Sequence, residues 1–216
     1  MELDHLFILC DVGAPEGDAL VEMGLVEGSP NVHPGQGTAC RRFFFETSYL
    51  ELLWVANPDE VQSAPVRPTT LWDRWRRRRE GGNPFGIVLR PPPVVGASLD
   101  PPFASSAYRP RYLDGASIAV ASEVPWEEPA FFWLPFQRHR ARPAMEPTTH
   151  RIGRTITRIR IGLPYAITSE AGDRVSAAGV VSFDRTDHDL LDLTIDDAPS
   201  GQARTLRPRL PLSFRF

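Results

Sequence analysis

The sequence predicts an α+β fold rich in β-strand, and three observations carry that reading. Short apolar runs with period-two alternation recur along the chain. Between them stand 22 prolines, about twice the usual share of roughly 5%, which suits strands joined by stiff loops better than a helix bundle. The elements fall in the order β-α-β-β-β and then, more loosely, in a similar order again.

Residues 1–10, MELDHLFILC, read as a strand with Leu3, His5, Phe7 and Leu9 on one face and Leu6, Ile8 and Cys10 on the other. Residues 14–25 place Ala14, Leu20, Val21 and Leu25 near helical spacing, with Pro15 in the first turn and Gly24 near the end. A turn-rich passage follows at 27–38, with a brief strand around Val32, and residues 39–47 and 49–55 form a hairpin. Residues 57–70 read as a Pro-rich connector. LWDRWRRRRE at 71–80 is a short helix whose Leu71, Trp72 and Trp75 share one side, and Arg76 to Arg79 read as a solvated helix end.

Gly81, Gly82 and Asn83 break the chain before a strand at 84–90. Residues 91–114 are irregular and proline-rich, where a repeated unit would carry its helix. Strands at 117–122 and 130–136 complete a degenerate second copy that starts near residue 81. An Arg/Pro/His stretch at 137–149 marks a boundary. On this reading residues 1–140 hold tandem βαβββ-type units, and residues 141–216 form a C-terminal β-rich extension packed on them. Its strands fall at 155–161, 180–183, 190–195 and 210–216.

Composition narrows the function classes. Hydrophobic residues at 42% and charged residues at 24% are ordinary for a globular chain that buries a core. A net charge of −3 and a pI near 6.0 argue against a nucleic-acid partner, which calls for a strongly basic face. Apolar stretches fall short of the roughly 20 residues a membrane helix needs, and the N-terminus reads as a strand instead of a signal peptide, so no membrane partner and a cytoplasmic location are expected. The spacing of Cys10 and Cys40 fits neither a disulfide framework nor a metal pair, and both read as reduced core residues.

The chemistry concentrates at Glu51, a lone acid among Leu50, Leu52, Leu53 and Trp54. Such a carboxylate has little water on either face of a strand, and an unpaired buried charge is costly. It needs a cation, a donor or a proton. Among the chain's own cations, a guanidinium from Arg41, Arg42 or Arg90 is open to it.

The segments LDHLFIL, HPGQGTACRRFFF and YLELLWV (residues 3–9, 33–45 and 49–55) carry a resemblance to the glyoxalase-like branch of the vicinal oxygen chelate (VOC; glyoxalase/bleomycin resistance/dioxygenase) superfamily. The resemblance implies that the two units curl into a half-open mixed β barrel around a divalent metal, with His5 and Glu51 as the first unit's ligands. The second unit departs from this pattern, because Asn83, Pro84 and Phe85 and the AFFWLPF segment supply neither imidazole nor acid. His33, Gln137, His139 and His150 are the nearby substitutes, and His188 reads as an exposed turn residue.

The implied function is binding of a small oxygenated or carboxylated molecule in the barrel. A metal-dependent lyase, isomerase or dioxygenase would stabilise an oxyanion there, with Glu51 catalytic as metal ligand or proton shuttle. Arg41, Arg42, His33, Tyr49 and Arg90 are the candidate substrate-binding residues. Arg41 and Arg42 alternate in direction, so only one of them faces the cavity. The rival is a metal-free binding or sequestration module of the same fold, similar to the antibiotic-sequestering members. A third reading makes Glu51 part of a structural ion pair. Whether two chains pair as a homodimer is left open.

Overall fold

The structure is a computed structural model that describes residues 1–113, 115–135 and 154–216. The first unit runs β1 (Glu2–Leu9), α1 (Gly17–Glu22), β2 (Asn31–His33), β3 (Thr38–Phe44) and β4 (Tyr49–Val55). Two short helices, α2 (Pro58–Val61) and α3 (Leu71–Arg77), lead to β5 (Phe85–Arg90), β6 (Ser105–Tyr108), β7 (Ile118–Ala121) and β8 (Ala130–Trp133). The chain continues through β9 (Ile156–Leu163), α4 (Glu170–Ala177), β10 (Ser182–Arg185), β11 (Leu190–Ile195), β12 (Ala203–Thr205) and β13 (Leu212–Arg215).

Strands β1 to β8 form one curled, mixed eight-stranded half-barrel in the order β2-β3-β4-β1-β5-β8-β7-β6. The order exposes the repeat. In each unit the first strand pairs parallel with the last, β1 with β4 and β5 with β8, and the units join antiparallel through β1 and β5. The second unit has no described helix between β5 and β6, and an irregular proline-rich segment stands in its place.

Each sheet face has its own core. On the outer face Leu6, Ile8, Phe43, Leu50, Leu52, Ile87 and Phe131 pack continuously with Ile161, Leu191, Leu193 and Phe214 of the second sheet and with Val175 of α4. That sheet has the order β10-β9-β11-β13-β12. On the inner face Phe7, Leu53, Val88, Phe132 and Leu134 gather with Val61 and Leu71, so α2 and α3 pack on that face. Strand alternation thus sends the residues of one strand to two separate cores.

Several elements differ from the sequence expectation. The 57–70 connector contains α2, because Asn57 Oδ1 accepts from the Asp59 and Glu60 amides and Pro58 opens the first turn. Strand β6 lies within the stretch read as irregular. The C-terminal layer is not purely β: Ser169 caps α4 by accepting from the Gly172 amide. Leu3 leaves the face of His5, since the β1–β5 register shifts between Leu3 and His5 and turns Leu3 outward. Among the described residues, no helix is long and apolar enough to cross a membrane.

The two layers are tied at Asn83, whose Nδ2 donates to Asp189 Oδ1 at 2.9 Å. Burial pushes the Asp189 carboxyl up to about 6, against the opposing Asn83 hydrogen bond. The folded state therefore holds this proton more tightly than the unfolded chain, and stability falls as pH rises from about 4 to about 6, then levels. Asp189→Asn should raise the thermal midpoint at pH 7 and leave it unchanged below about pH 4. Equal midpoints at pH 7 would contradict this.

Candidate functional site

The inner face of the first unit becomes polar at one end. On β4 the inward residues are Tyr49, Glu51, Leu53 and Val55, and on β1 they are His5, Phe7 and Leu9. Register places His5 beside Tyr49, with rings stacked at 4.4 Å, and Phe7 beside Glu51. Glu51 is 4% exposed. Its Oε2 lies 3.9 Å from His5 Nε2.

His5 is fixed from behind. The irregularity in β1 leaves Asp4 buried beside it, and Asp4 Oδ1 meets His5 Nδ1 at 2.8 Å. Asp4 Oδ2 in turn accepts from Arg90 Nη1 at 3.4 Å, and Arg90 Nη2 reaches Glu2 at 3.5 Å. A carboxylate on Nδ1 sets which ring edge is presented, so Nε2 faces the Glu51 side.

Strand β3 supplies the other flank, with Arg42 opposite Glu51 and Cys40 opposite Leu53. Cys40 is fully buried. Burial first, and the Glu51 charge second, push its thiol pKa well above the ordinary value. Arg42 lines the cavity and donates from Nε to the Ser29 carbonyl at 3.0 Å. His33, at the end of β2, faces the Thr38 hydroxyl through Nδ1 at 2.9 Å and the Asn31 side-chain amide through Nε2 at 3.0 Å. Its pKa is lowered by burial, against the pull of Glu51, which favours the neutral imidazole that a metal requires. His33, Cys40 and Glu51 each offer a ligand atom, and these atoms lie within 4.8 Å of one another.

These groups head a cavity of about 360 Å³, within the size range of small-molecule sites. The opposite wall is apolar and comes from the second unit as Val88, Ile118, Phe132 and Leu134. Across the mouth, Tyr112 of the second unit donates from its hydroxyl to Gln36 Oε1 at 2.8 Å, and Gln36 Nε2 donates to Thr38 Oγ1 at 2.7 Å. The loop from His33 is thereby joined to the far wall.

The structure gathers His5, His33, Arg42, Tyr49 and Glu51 around this cavity. It does not bring Arg41 or Arg90 there. Arg41 points to the α1 side, bound to Glu27 at 2.6 Å and Asp18 at 2.9 Å, because its neighbour Arg42 takes the inward direction. Arg90 is held by Glu2 and Asp4 at the end of β5, apart from the cavity lining, and touches the site through Asp4. No ion pair with Glu51 is formed by either. His188 is exposed, and Gln137, His139 and His150 lie outside the described residues.

Two residues escaped the sequence reading. Cys40 shares strand parity with Arg42 and so stands on the same sheet face as Glu51, diagonal to it, a signal present in the alternation. Asp4 gave none, because parity sends it away from His5 and only the register shift brings the two together.

No family model and no curated protein matches the chain. A solved structure described as a hypothetical protein from Staphylococcus aureus is similar across 99% of this chain and 98% of its own, with a TM-score of 0.59 and 10% identity. A likeness at that identity shows a shared fold.

Proposed function

We propose that the chain is a glyoxalase-like member of the vicinal oxygen chelate superfamily that binds a small molecule with one oxygenated or carboxylated end and an apolar body. The observation that carries this is the buried Glu51 carboxylate at the head of the cavity, with His5 Nε2 at 3.9 Å and an apolar wall opposite. The polar end of the ligand meets Glu51, His5 and Arg42, and its body lies against Val88, Phe132 and Leu134. Arg42 suits an anionic oxygen through its planar fork.

The donors around Glu51 fit a divalent cation, which would polarise ligand oxygens and lower the cost of an oxyanion. Asp4 holds His5 so that Nε2 stays turned toward Glu51, where it can accept or return a proton. The apolar second-unit wall favours one further reading, a metal-free binding or sequestration module, because that wall offers a cation nothing.

Metal analysis and thermal shift separate the two. At 100 times the dissociation constant, a cation is expected to stabilise the native state by about 2.7 kcal/mol, a rise of roughly 5–10 °C for a chain of this size. Glu51→Gln should remove that rise, and His5→Ala should reduce it. Protein that purifies without metal and shows no shift with any divalent ion would leave only the metal-free module.

A further inference from the structure

We propose that the cation site is a thiolate-containing set drawn wholly from the first unit, with Cys40, His33 and Glu51 as the protein ligands, and that it takes zinc or a similarly thiophilic divalent ion in preference to magnesium or calcium. The proposal rests on the cation part of the function above and names its donors and its metal class.

Three features of the structure lead there. The ligand atoms of His33, Cys40 and Glu51 already lie within 4.8 Å of one another. Donors around a tetrahedral zinc, at about 2.0–2.3 Å from the ion, stand somewhat closer than that, so side-chain rotation closes the set without moving a strand. Among the described residues, Val88, Ile118, Phe132 and Leu134 of the second unit line the cavity without offering a carboxylate, imidazole or thiol to a site shared between the two halves. And the set combines sulfur, nitrogen and oxygen, whereas magnesium and calcium select oxygen alone.

His5 stands outside the three, its Nδ1 engaged by Asp4 and its Nε2 beside Glu51 Oε2. It acts as a positioning residue that steadies the ligating carboxylate. His33 is prepared in the same manner. One ring nitrogen exchanges its present contact for the ion, and the other keeps Thr38 or Asn31 as the hydrogen bond that orients the ring. Three protein donors leave a tetrahedral ion one further position, the arrangement found where zinc also meets a substrate or water. Glu51 and His33 both line the cavity in which that position would be filled.

The test is a cobalt(II) titration of the full chain after chelator treatment. Saturation at one equivalent is expected, with a near-ultraviolet thiolate-to-cobalt charge-transfer band and visible tetrahedral bands. Stoichiometric zinc should bleach both, and excess magnesium should not. Cys10 provides the control, because it is buried on the outer face and its thiol donates to the Ile8 carbonyl. Cys10→Ala should keep the charge-transfer band. Cys40→Ser should lose it and bind cobalt roughly 100-fold more weakly or worse, since a ligand counts for more than the 10–100-fold typical of a supporting contact. Glu51→Gln, which leaves both thiols in place, should also weaken uptake and serves if Cys40→Ser fails to fold. Cobalt uptake without the charge-transfer band, or a band that survives Cys40→Ser, would overturn this donor set and leave a His5–Glu51 cation site standing. No uptake by the unaltered chain would overturn both.

Discussion

In Glu128→Ala the folded state is expected to lose about 3–5 kcal/mol, the cost of removing one partner from a buried charged network. Glu128 is 2% exposed and precedes β8 in the second unit, yet everything that its carboxylate holds belongs to the C-terminal layer. Oε1 accepts from the Thr168 amide at 2.7 Å and the Thr168 hydroxyl at 2.8 Å, while Oε2 accepts from the Ser169 hydroxyl at 2.5 Å. The Ser169 amide reaches Oε1 at 3.2 Å. Ser169 is also the cap of α4, so Glu128 orients the residue that starts the helix.

The main chain of Glu128 is equally engaged. Its carbonyl accepts from Arg74 Nη1 at 2.7 Å, and Arg74, itself buried, has its pKa drawn down to about 10 by burial against the opposing charge of Glu128. Alanine would leave two amides and two hydroxyls without their acceptor and a buried guanidinium without the stronger of its countercharges, Glu127 remaining. For a chain of this length the thermal midpoint should fall by roughly 10 °C. Glu128→Gln, which keeps the shape and one acceptor, should fall by less. A midpoint within a degree or two of the unaltered protein for Glu128→Ala would contradict the account.

Gly37→Ala should lose about 2–5 kcal/mol, adding a left-handed backbone cost of about 1–2 to an overpacking cost of about 1–3. Its φ is +77°, and an added Cβ would stand 2.4 Å from the Asn57 carbonyl oxygen and 2.6 Å from the Val61 amide nitrogen. Both are backbone atoms. They cannot swing aside, because the Ala56 and Asn57 amides donate to the Gly37 carbonyl and Asn57 caps α2. Gly35 has the same φ of +77°, but there the Cβ would meet only the flexible side chain of Arg111, at 3.1 Å. Gly35→Ala should therefore cost only the backbone part, about 1–2 kcal/mol. Denaturant unfolding of the two variants compares them directly, and equal losses would contradict the argument. Because Gly37 anchors the loop that leads from His33, its variant should also bind cobalt more weakly than Gly35→Ala.

How much of this was readable in the chain differs from place to place. The strand positions of the first unit and the inward parity of Tyr49, Glu51 and Leu53 follow from alternation alone, because a pleated strand must send neighbours to opposite faces. The same rule makes Arg41 and Arg42 diverge without saying which turns inward. Helix α4 was missed because its few apolar residues, Ala171 and Val175 among them, make a weak pattern, and its stability comes from Ser169, Glu128 and packing against the second sheet. Strand β6 was missed because three of its four residues are exposed, so it shows no buried face to read.

The sequence by itself determined a β-rich α+β chain, two uneven units, an isolated acid on the fourth strand and a second unit whose Asn83, Pro84, Phe85 and AFFWLPF segment carry no counterpart of His5 or Glu51. These are local properties, written in periodicity, turn residues and residue type. Only the tertiary structure decided what surrounds that acid. The shift in β1 brings Asp4 behind His5, the pairing of β2 on β3 carries His33 toward Cys40 and Glu51, and the α1 contacts take Arg41 away. The reason is physical: register shifts and sheet curvature are settled by packing between segments far apart in the chain, and one residue of slip reverses the face on which every following side chain stands.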